Sequence, residues 1–300
     1  MAKAARAARH IELGRKFAVP ESGELPSFGG LSGVAARTEK LPVQLLEAVY
    51  FDTAQRDLAA NRIAVRRRTG GTDAGWHLKL PSAAGASAEA RTEFQAALSD
   101  EIPEELRDMV LAIVRDRPLL PVARIVNNRM VTLLFGPDGT AFAEFCDDNV
   151  SASRLDADGS SETEQQWREW ELEIIDGGVE DATVLLDRLT NRVREAGATP
   201  APHGSKLAKV LGDTTPARPE PPDDPVHRAV GEQVAALLRW DRAVRADSDD
   251  AVHQMRVTIR QIRSLLQASE DEFGLTDDST ILSELRELGG VLGIARDAEV

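Results

Sequence analysis

Three glutamates at two-residue spacing, Glu169, Glu171 and Glu173, alternate with Trp170, Leu172 and Ile174. Successive side chains of a strand point to opposite faces, so this run sets apolar bulk against a row of carboxylates. Carboxylates two residues apart lie about 7 Å from each other and can converge on one or two hard cations. A solvated outer face carries the same pattern. Other runs repeat it with both signs of charge. His10, Glu12, Gly14 and Lys16 alternate with Ile11, Leu13, Arg15 and Phe17, while Arg66 and Arg68 share a face opposite Ile63 and Val65. His77 and Lys79 alternate with Trp76, Leu78 and Leu80, and Glu144 and Asp148 share a face with Phe142 and Cys146. An exposed sheet tolerates such strands; a closed barrel with a polar lumen requires them.

The elements that must position these groups are mostly strands. Alternation and turn residues predict strands over 9–19, 44–53, 62–69, 75–81, 90–95, 121–135, 140–150 and 167–175. Gly136-Pro137-Asp138-Gly139 marks a hairpin between two of them. Residues 20–39 read as a loop or short helical excursion, 54–61 as a turn capped by Asp52 or Thr53, and 156–163 as a polar loop. Helical spacing is predicted over 103–114, 179–196 and 205–211. The Pro-rich stretch from Asp213 to Pro225 reads as a stiff linker. Beyond it, 226–246, 250–270 and 277–293 read as helices. The expected organisation is a domain over 1–212, a linker over 213–225 and a helical domain over 226–300.

Bulk composition narrows the classes. A chain of 300 residues with 42% apolar and 29% charged residues suits about two globular domains. No apolar run has membrane length and no signal peptide is evident, so a cytoplasmic protein without a membrane partner is expected. The single cysteine, Cys146, excludes an internal disulfide framework and a cysteine-rich zinc site. A net charge of −14 argues against non-specific nucleic-acid binding. Any polyanion must therefore meet a local concentration of Arg and Lys.

The helical part has one such stripe. Val252, Met255, Ile259, Ile262 and Leu266 follow the 3-4 spacing of a core seam, and His253, Arg256, Arg260 and Arg263 run beside it. Guanidinium forks suit phosphate oxygens, although a solvated basic face has the same spacing.

Taken together, these stretches resemble the CYTH superfamily of triphosphate tunnel metalloenzymes, followed by a CHAD domain. The carriers are Glu12-Leu-Gly-Arg-Lys16 against the family's ExExK, Tyr50-Phe-Asp-Thr53, Ile63 to Arg68, Trp76 to Pro81, Trp167 to Glu173 and Ser205-Lys206. For CHAD they are Val252 to Arg263 and Leu288 to Asp297. The resemblance implies an α+β chain: an antiparallel eight-stranded β tunnel with outer helices, then an α-helical bundle-type domain that stops after its first helical repeat. It assigns Arg66, Arg68, Lys79, Arg129 and Lys206 to substrate phosphates, and Asp148, Glu171 and Glu173 to Mg²⁺ or Mn²⁺. Glu12 and Lys16 become catalytic, Glu93 a further lumen acid, and Arg91, Arg124 and Glu144 second-line lumen residues. His10 and His77 are assigned no catalytic role. The implied activity is metal-dependent hydrolysis of inorganic tripolyphosphate or an organic triphosphate. The stripe of His253, Arg256, Arg260 and Arg263 would bind inorganic polyphosphate. One departure favours a binding protein over an enzyme: Gly14 stands where the family has glutamate.

Overall fold

The computed structural model describes residues 7–29, 35–81, 90–156, 159–161, 164–175, 182–217, 220–276 and 279–299. Parts of several expected elements, at 30–34, 157–158, 162–163, 179–181 and 277–278, lie outside the described residues. So do the side chains at the end of the Leu288 to Asp297 stretch. The chain divides into two compact units, Met1–Leu106 with Arg117–Pro216, and Arg107–Asp116 with Ala217–Val300.

The first unit is built on a closed antiparallel barrel. Its strands are β1 (Ala8–Ala18), β3 (Gln44–Asp52), β4 (Ala64–Thr69), β5 (Gly75–Pro81), β6 (Ala90–Ala96), β7 (Leu120–Phe135), β8 (Ala141–Arg154) and β9 (Gln165–Ile174). They follow the order β1-β6-β5-β4-β3-β7-β8-β9, and β9 pairs back onto β1 from Leu13↔Ile174 to Ala18↔Glu169. Eight strands leave an interior just wide enough for side chains or one small ligand. Two short strands lie beside the ring: β2 (Arg37–Lys40) pairs with β7, and β10 (Thr199–Pro200) with β1. β2 corrects the loop expected there. Its four exposed polar residues give no alternation signal, and the edge of β7 supplies the pairing.

Helices and turns cover and pin this barrel. α4 (Ala182–Glu195) lays Leu186, Leu189 and Val193 against Phe17, Phe145, Trp170 and Leu172, the outward residues of β1, β8 and β9. This i, i+3, i+7 stripe is what makes the apolar side of the Glu169–Glu173 run the outer side. Between β3 and β4, the buried Asp52 carboxylate accepts from the backbone N–H groups of Thr53, Leu58 and Ala59 at 2.7–2.9 Å, fixing the turn α1 (Asp57–Ala60). Thr53 joins it, its Oγ1 accepting from Asp57 N–H at 3.1 Å. Residues 103–114 form two short helices, α2 (Glu104–Asp108) and α3 (Leu111–Val114), instead of one. The apolar spacing survives, since Leu106, Val110 and Ile113 are all buried. The break follows from Val110 N–H bonding the carbonyl of Arg107, an i→i−3 bond that tightens the turn.

In the second unit, α6 (Pro225–Arg245) starts on Asp224, whose carboxylate accepts from His227 N–H at 2.8 Å. α7 (Ala251–Ala268) buries the expected seam of Val252, Met255, Ile259, Ile262 and Leu266 against α6 and α9 (Thr280–Glu299). A single turn, α8 (Glu270–Phe273), follows α7 and stops at Gly274, whose φ of 60° suits glycine. Among the described residues, no helix is long and apolar enough to cross a membrane.

Candidate active site

Barrel closure sends the charged faces inward. The resulting cavity, of about 910 Å³, is lined by Glu12, Lys16, Arg66, Arg68, Lys79, Glu93, Arg129, Glu171, Glu173 and Lys206 among others. Lys206 arrives by a different route from the strand residues. Ser205 caps the short helix α5 (Lys206–Leu211) by accepting from Ala208 N–H at 3.0 Å, and Leu207, Val210 and Leu211 pack with Val122 and Val150, which delivers the first lysine of the helix to the lumen.

Three carboxylates form the acidic focus. Glu12 of β1 and Glu171 and Glu173 of β9 each offer an oxygen within 4.8 Å of the others, and Glu12 and Glu171 are 7% and 6% exposed. All-oxygen, carboxylate-rich donors suit a hard divalent cation, so the residues fit Mg²⁺ or Mn²⁺ in kind. Basic groups already hold two of the three. Lys79 Nζ bonds Glu12, Lys16 Nζ bonds Glu171, and Arg129 Nη2 reaches Glu171 Oε2 at 2.7 Å. Burial pushes the Glu12 carboxyl up, but Lys79 and Lys16 outweigh it and bring it down to about 2. Glu173 goes the other way: burial, then the charge of Glu12, raise it to about 8. Burial and the neighbouring Lys206 bring the Lys16 ammonium down to about 7.

Asp148, expected as a metal ligand, lies deep in the wall. It is wholly buried, takes a two-pronged bond from Arg129 at 2.8 and 2.7 Å, and pairs with Lys206 at 2.8 Å. Burial disfavours its charge, yet Lys206 and Arg129 hold the carboxyl well below the ordinary range. Asp148 shares Arg129 and Lys206 with Glu171, and it is not among the three carboxylates whose oxygens lie within 4.8 Å of one another. Glu93 braces the opposite wall. It pairs with Arg66 at 3.3 Å, Lys79 at 3.4 Å, His10 at 3.1 Å and His77 at 2.8 Å. Arg68 bonds Asp73 from the turn before β5. The Nε atoms of Arg66 and Arg68 are buried without a partner.

Several residues here have no place in the roles that the family resemblance assigns. Glu169 pairs with Lys206 at 2.6 Å, Asp73 anchors Arg68, and Asn127 lines the cavity with its Oδ1 unpartnered. Glu169 was legible in the alternation; Asp73 and Asn127 carried no signal. Of the second-line residues, Glu144 lines the cavity opposite Glu173 in the β8–β9 register, and Arg91 donates to Gly204 O at 3.2 Å beside it. Arg124 pairs with Glu47 at 2.8 Å outside the lumen, with both side chains about half exposed.

Gly14 faces the same cavity across from Glu173. A Cβ there would lie 2.8 Å from the carbonyl oxygen of Leu172, closer than real contacts allow. The β1–β9 seam would have to shift to admit a side chain.

In the helical unit, His253 and Arg260 are exposed and Arg256 and Arg263 half-buried. Arg256 lies against Gly293 of α9, its Nη2 3.6 Å from where a Cβ would sit. Among the described residues, the three arginines form no ion pair with a carboxylate, and Arg263 Nε is buried unpartnered.

The family profile of the CYTH domain matches residues 10–200. The chain belongs to the CYTH family. A second profile, of the CHAD domain, matches residues 228–300, so the CYTH barrel precedes a CHAD region. Two relatives, each described as an uncharacterized protein of Mycobacterium tuberculosis (MT2285 of strain CDC 1551 / Oshkosh and Rv2226 of strain H37Rv), are 57% identical over 311 residues. The match covers 99% of this chain and 60% of each relative, so the chain spans about 60% of their length. Solved structures overlay less closely. A Bacillus halodurans protein gives a TM-score of 0.42 at 18% identity, covering 68% of this chain and 99% of its own. The PH1819 protein of Pyrococcus horikoshii gives 0.38 at 12%, covering 67% and 99%.

Proposed function

We propose that the CYTH barrel is a metal-dependent hydrolase of inorganic tripolyphosphate or a related organic triphosphate, and that the CHAD region binds inorganic polyphosphate. The observation that supports it is one cavity lined, among other cations, by Lys16, Arg66, Arg68, Lys79, Arg129 and Lys206, beside the Glu12–Glu171–Glu173 group. A triphosphate carries on the order of four negative charges. Its arrival would draw Lys79 from Glu12, and Lys16 and Arg129 from Glu171, to phosphoryl oxygens, leaving both carboxylates able to hold a divalent cation. Glu173 would hold such a cation in its ionised form, so that its binding would be linked to release of the Glu173 proton. A divalent cation bound there supplies charge neutralisation and polarisation of the terminal phosphoryl group. Arg66, Arg68 and Arg129 hold the chain of phosphates in line, and the braced Lys206 meets charge developing on the leaving pyrophosphate. Water then cleaves the terminal anhydride to phosphate and pyrophosphate.

Phosphate release from tripolyphosphate, nucleoside triphosphates and long polyphosphate, with Mg²⁺, Mn²⁺ or EDTA, tests this. The expected result is metal-stimulated release that falls at least 100-fold in Glu171→Ala and Arg66→Ala. Metal-independent release, or none, contradicts it.

A second reading, a triphosphate receptor without turnover, draws on Gly14. With no carboxylate at that position, the acidic group has one ligand fewer than the family pattern supplies. It predicts saturable tripolyphosphate binding and no phosphate release.

A further inference from the structure

The β1–β9 and β8–β9 registers set residues of three adjacent strands in rows. One row reads Lys16, Glu171, Cys146, and the next reads Gly14, Glu173, Glu144. All three members of the second row line the cavity. Glu173 therefore has a glycine beside it on β1 and another glutamate beside it on β8. The glycine side has no room for a carboxylate unless the Leu172 carbonyl moves, since its oxygen lies 2.8 Å from where a Cβ would sit. The β8 side already carries one.

This pair differs from the other carboxylates of the acidic focus. Lys79 bonds Glu12, and Lys16 and Arg129 bond Glu171. Among the described residues, neither Glu144 nor Glu173 has an ion pair. Cys146 Sγ donates to Glu144 Oε1 at 3.6 Å, and Oε2 has no partner among the described residues. Like charges directly opposite on adjacent strands repel, so the pair is costly until a proton or a cation comes between them. Burial, the charge of Glu12 and then that of Glu144 raise the Glu173 carboxyl, which places the two within each other's field. Adjacent strands lie about 4.8 Å apart, so glutamates side by side can close on one cation. Burial pushes the Cys146 thiol well up, so it stays protonated and the available donors are all oxygen, as a hard cation prefers.

We propose that Glu144 joins Glu173 as a ligand of a divalent cation in the barrel, so that β8 supplies the carboxylate that β1 lacks at Gly14. This rests on the metal-dependent reading above. It also orders events. Glu12 and Glu171 are held by basic groups until a triphosphate draws those groups away, whereas the Glu144–Glu173 pair is open to a divalent cation beforehand.

Titration of the full chain with Mn²⁺ alone, read from the electron paramagnetic resonance signal of the free ion, tests the assignment. The unaltered chain is expected to bind Mn²⁺ without any phosphate present, and Glu144→Gln to bind it at least tenfold more weakly. Glu144→Gln removes one of two facing charges, so its Tm in EDTA is expected not to fall, which separates a lost ligand from a damaged barrel. Glu144→Asp keeps the carboxylate and is expected to recover part of the affinity. A Tm that falls together with affinity, with no recovery in Glu144→Asp, overturns the assignment. Mn²⁺ affinity unchanged in Glu144→Gln but lowered in Glu173→Gln overturns the role of Glu144 and leaves the metal-dependent reading standing. Absence of Mn²⁺ binding by the unaltered chain overturns the Glu144–Glu173 site; the reading beneath it falls only if phosphate release is also metal-independent or absent.

Discussion

Asp147 and Asp148 are neighbours in sequence and face opposite sides of β8. Asp147 turns outward to Arg168, bonded at 2.8 and 3.0 Å, and to Trp170 Nε1 at 3.0 Å, whereas Asp148 turns inward to Arg129 and Lys206. Replacing Asp148 by asparagine takes one carboxylate from each of two buried cations, leaving Arg129 with Glu171 and Lys206 with Glu169, so a loss of about 3 kcal/mol is expected in chemical denaturation. A loss under about 1 kcal/mol contradicts the bracing role. Glu173 gives a pH-dependent expectation. Its carboxyl is raised from 4.5 to about 8 in the fold, so the folded chain holds a proton there that the unfolded chain releases. Its contribution is therefore fully present below about pH 4.5 and lost as pH rises toward 8. In EDTA, Glu173→Gln is expected to melt several degrees above the unaltered chain at pH 8 and level with it near pH 4.5. A pH-independent difference contradicts this. At this scale the alternation put Glu12, Lys16, Arg66, Lys79 and Glu171 on charged strand faces, and the family resemblance turned those faces inward. Which cation meets which carboxylate was not legible, because Lys16–Glu171 and Lys79–Glu12 depend on strands brought together only by closure and sheet order.

At the scale of elements, all eight barrel strands could be read from alternation and turn residues. β2 and β10 could not, since they are short, exposed and defined by the edges they join. The β1–β9 seam is narrow at the position that departs from the family pattern. Position 14 is a close approach between strands, so Gly14→Glu would push against the Leu172 carbonyl instead of adding a usable ligand. The expected outcome is a Tm lower by several degrees and no gain in phosphate release. A stable variant with faster turnover would mean that the seam yields and that the missing carboxylate limits the site. The turn after β3 carries a separate expectation. Asp52→Ala leaves three backbone N–H groups without their acceptor and should cost about 2 kcal/mol or more in denaturation. A cost near zero contradicts its anchoring role.

For the whole molecule, a net charge of −14 opposes the approach of any polyanion, so binding must come from enclosed or clustered cations. The two units meet this requirement differently. In the barrel the cations are buried and paired, so salt screens them little; on α7 they lie at the surface, and polyphosphate binding there should weaken steeply with salt. Arg256→Ala and Arg260→Ala are expected to weaken polyphosphate binding several-fold while leaving tripolyphosphate hydrolysis unchanged. Equal loss of both would mean that one site serves both ligands. The helical seam of the second unit was plain from its spacing, whereas the grouping of residues 107–116 with that unit was not, because it reflects packing between segments far apart in sequence. The central claim is that opposite charges from separate strands meet in one cavity to take a triphosphate together with a divalent cation. Calorimetric titration of the unaltered chain with tripolyphosphate, in Mg²⁺ and again in EDTA, tests it most directly. The account predicts one site per chain, bound at least tenfold more tightly with Mg²⁺ and with protons released on binding; equal affinity in EDTA, or no binding in either, would contradict it.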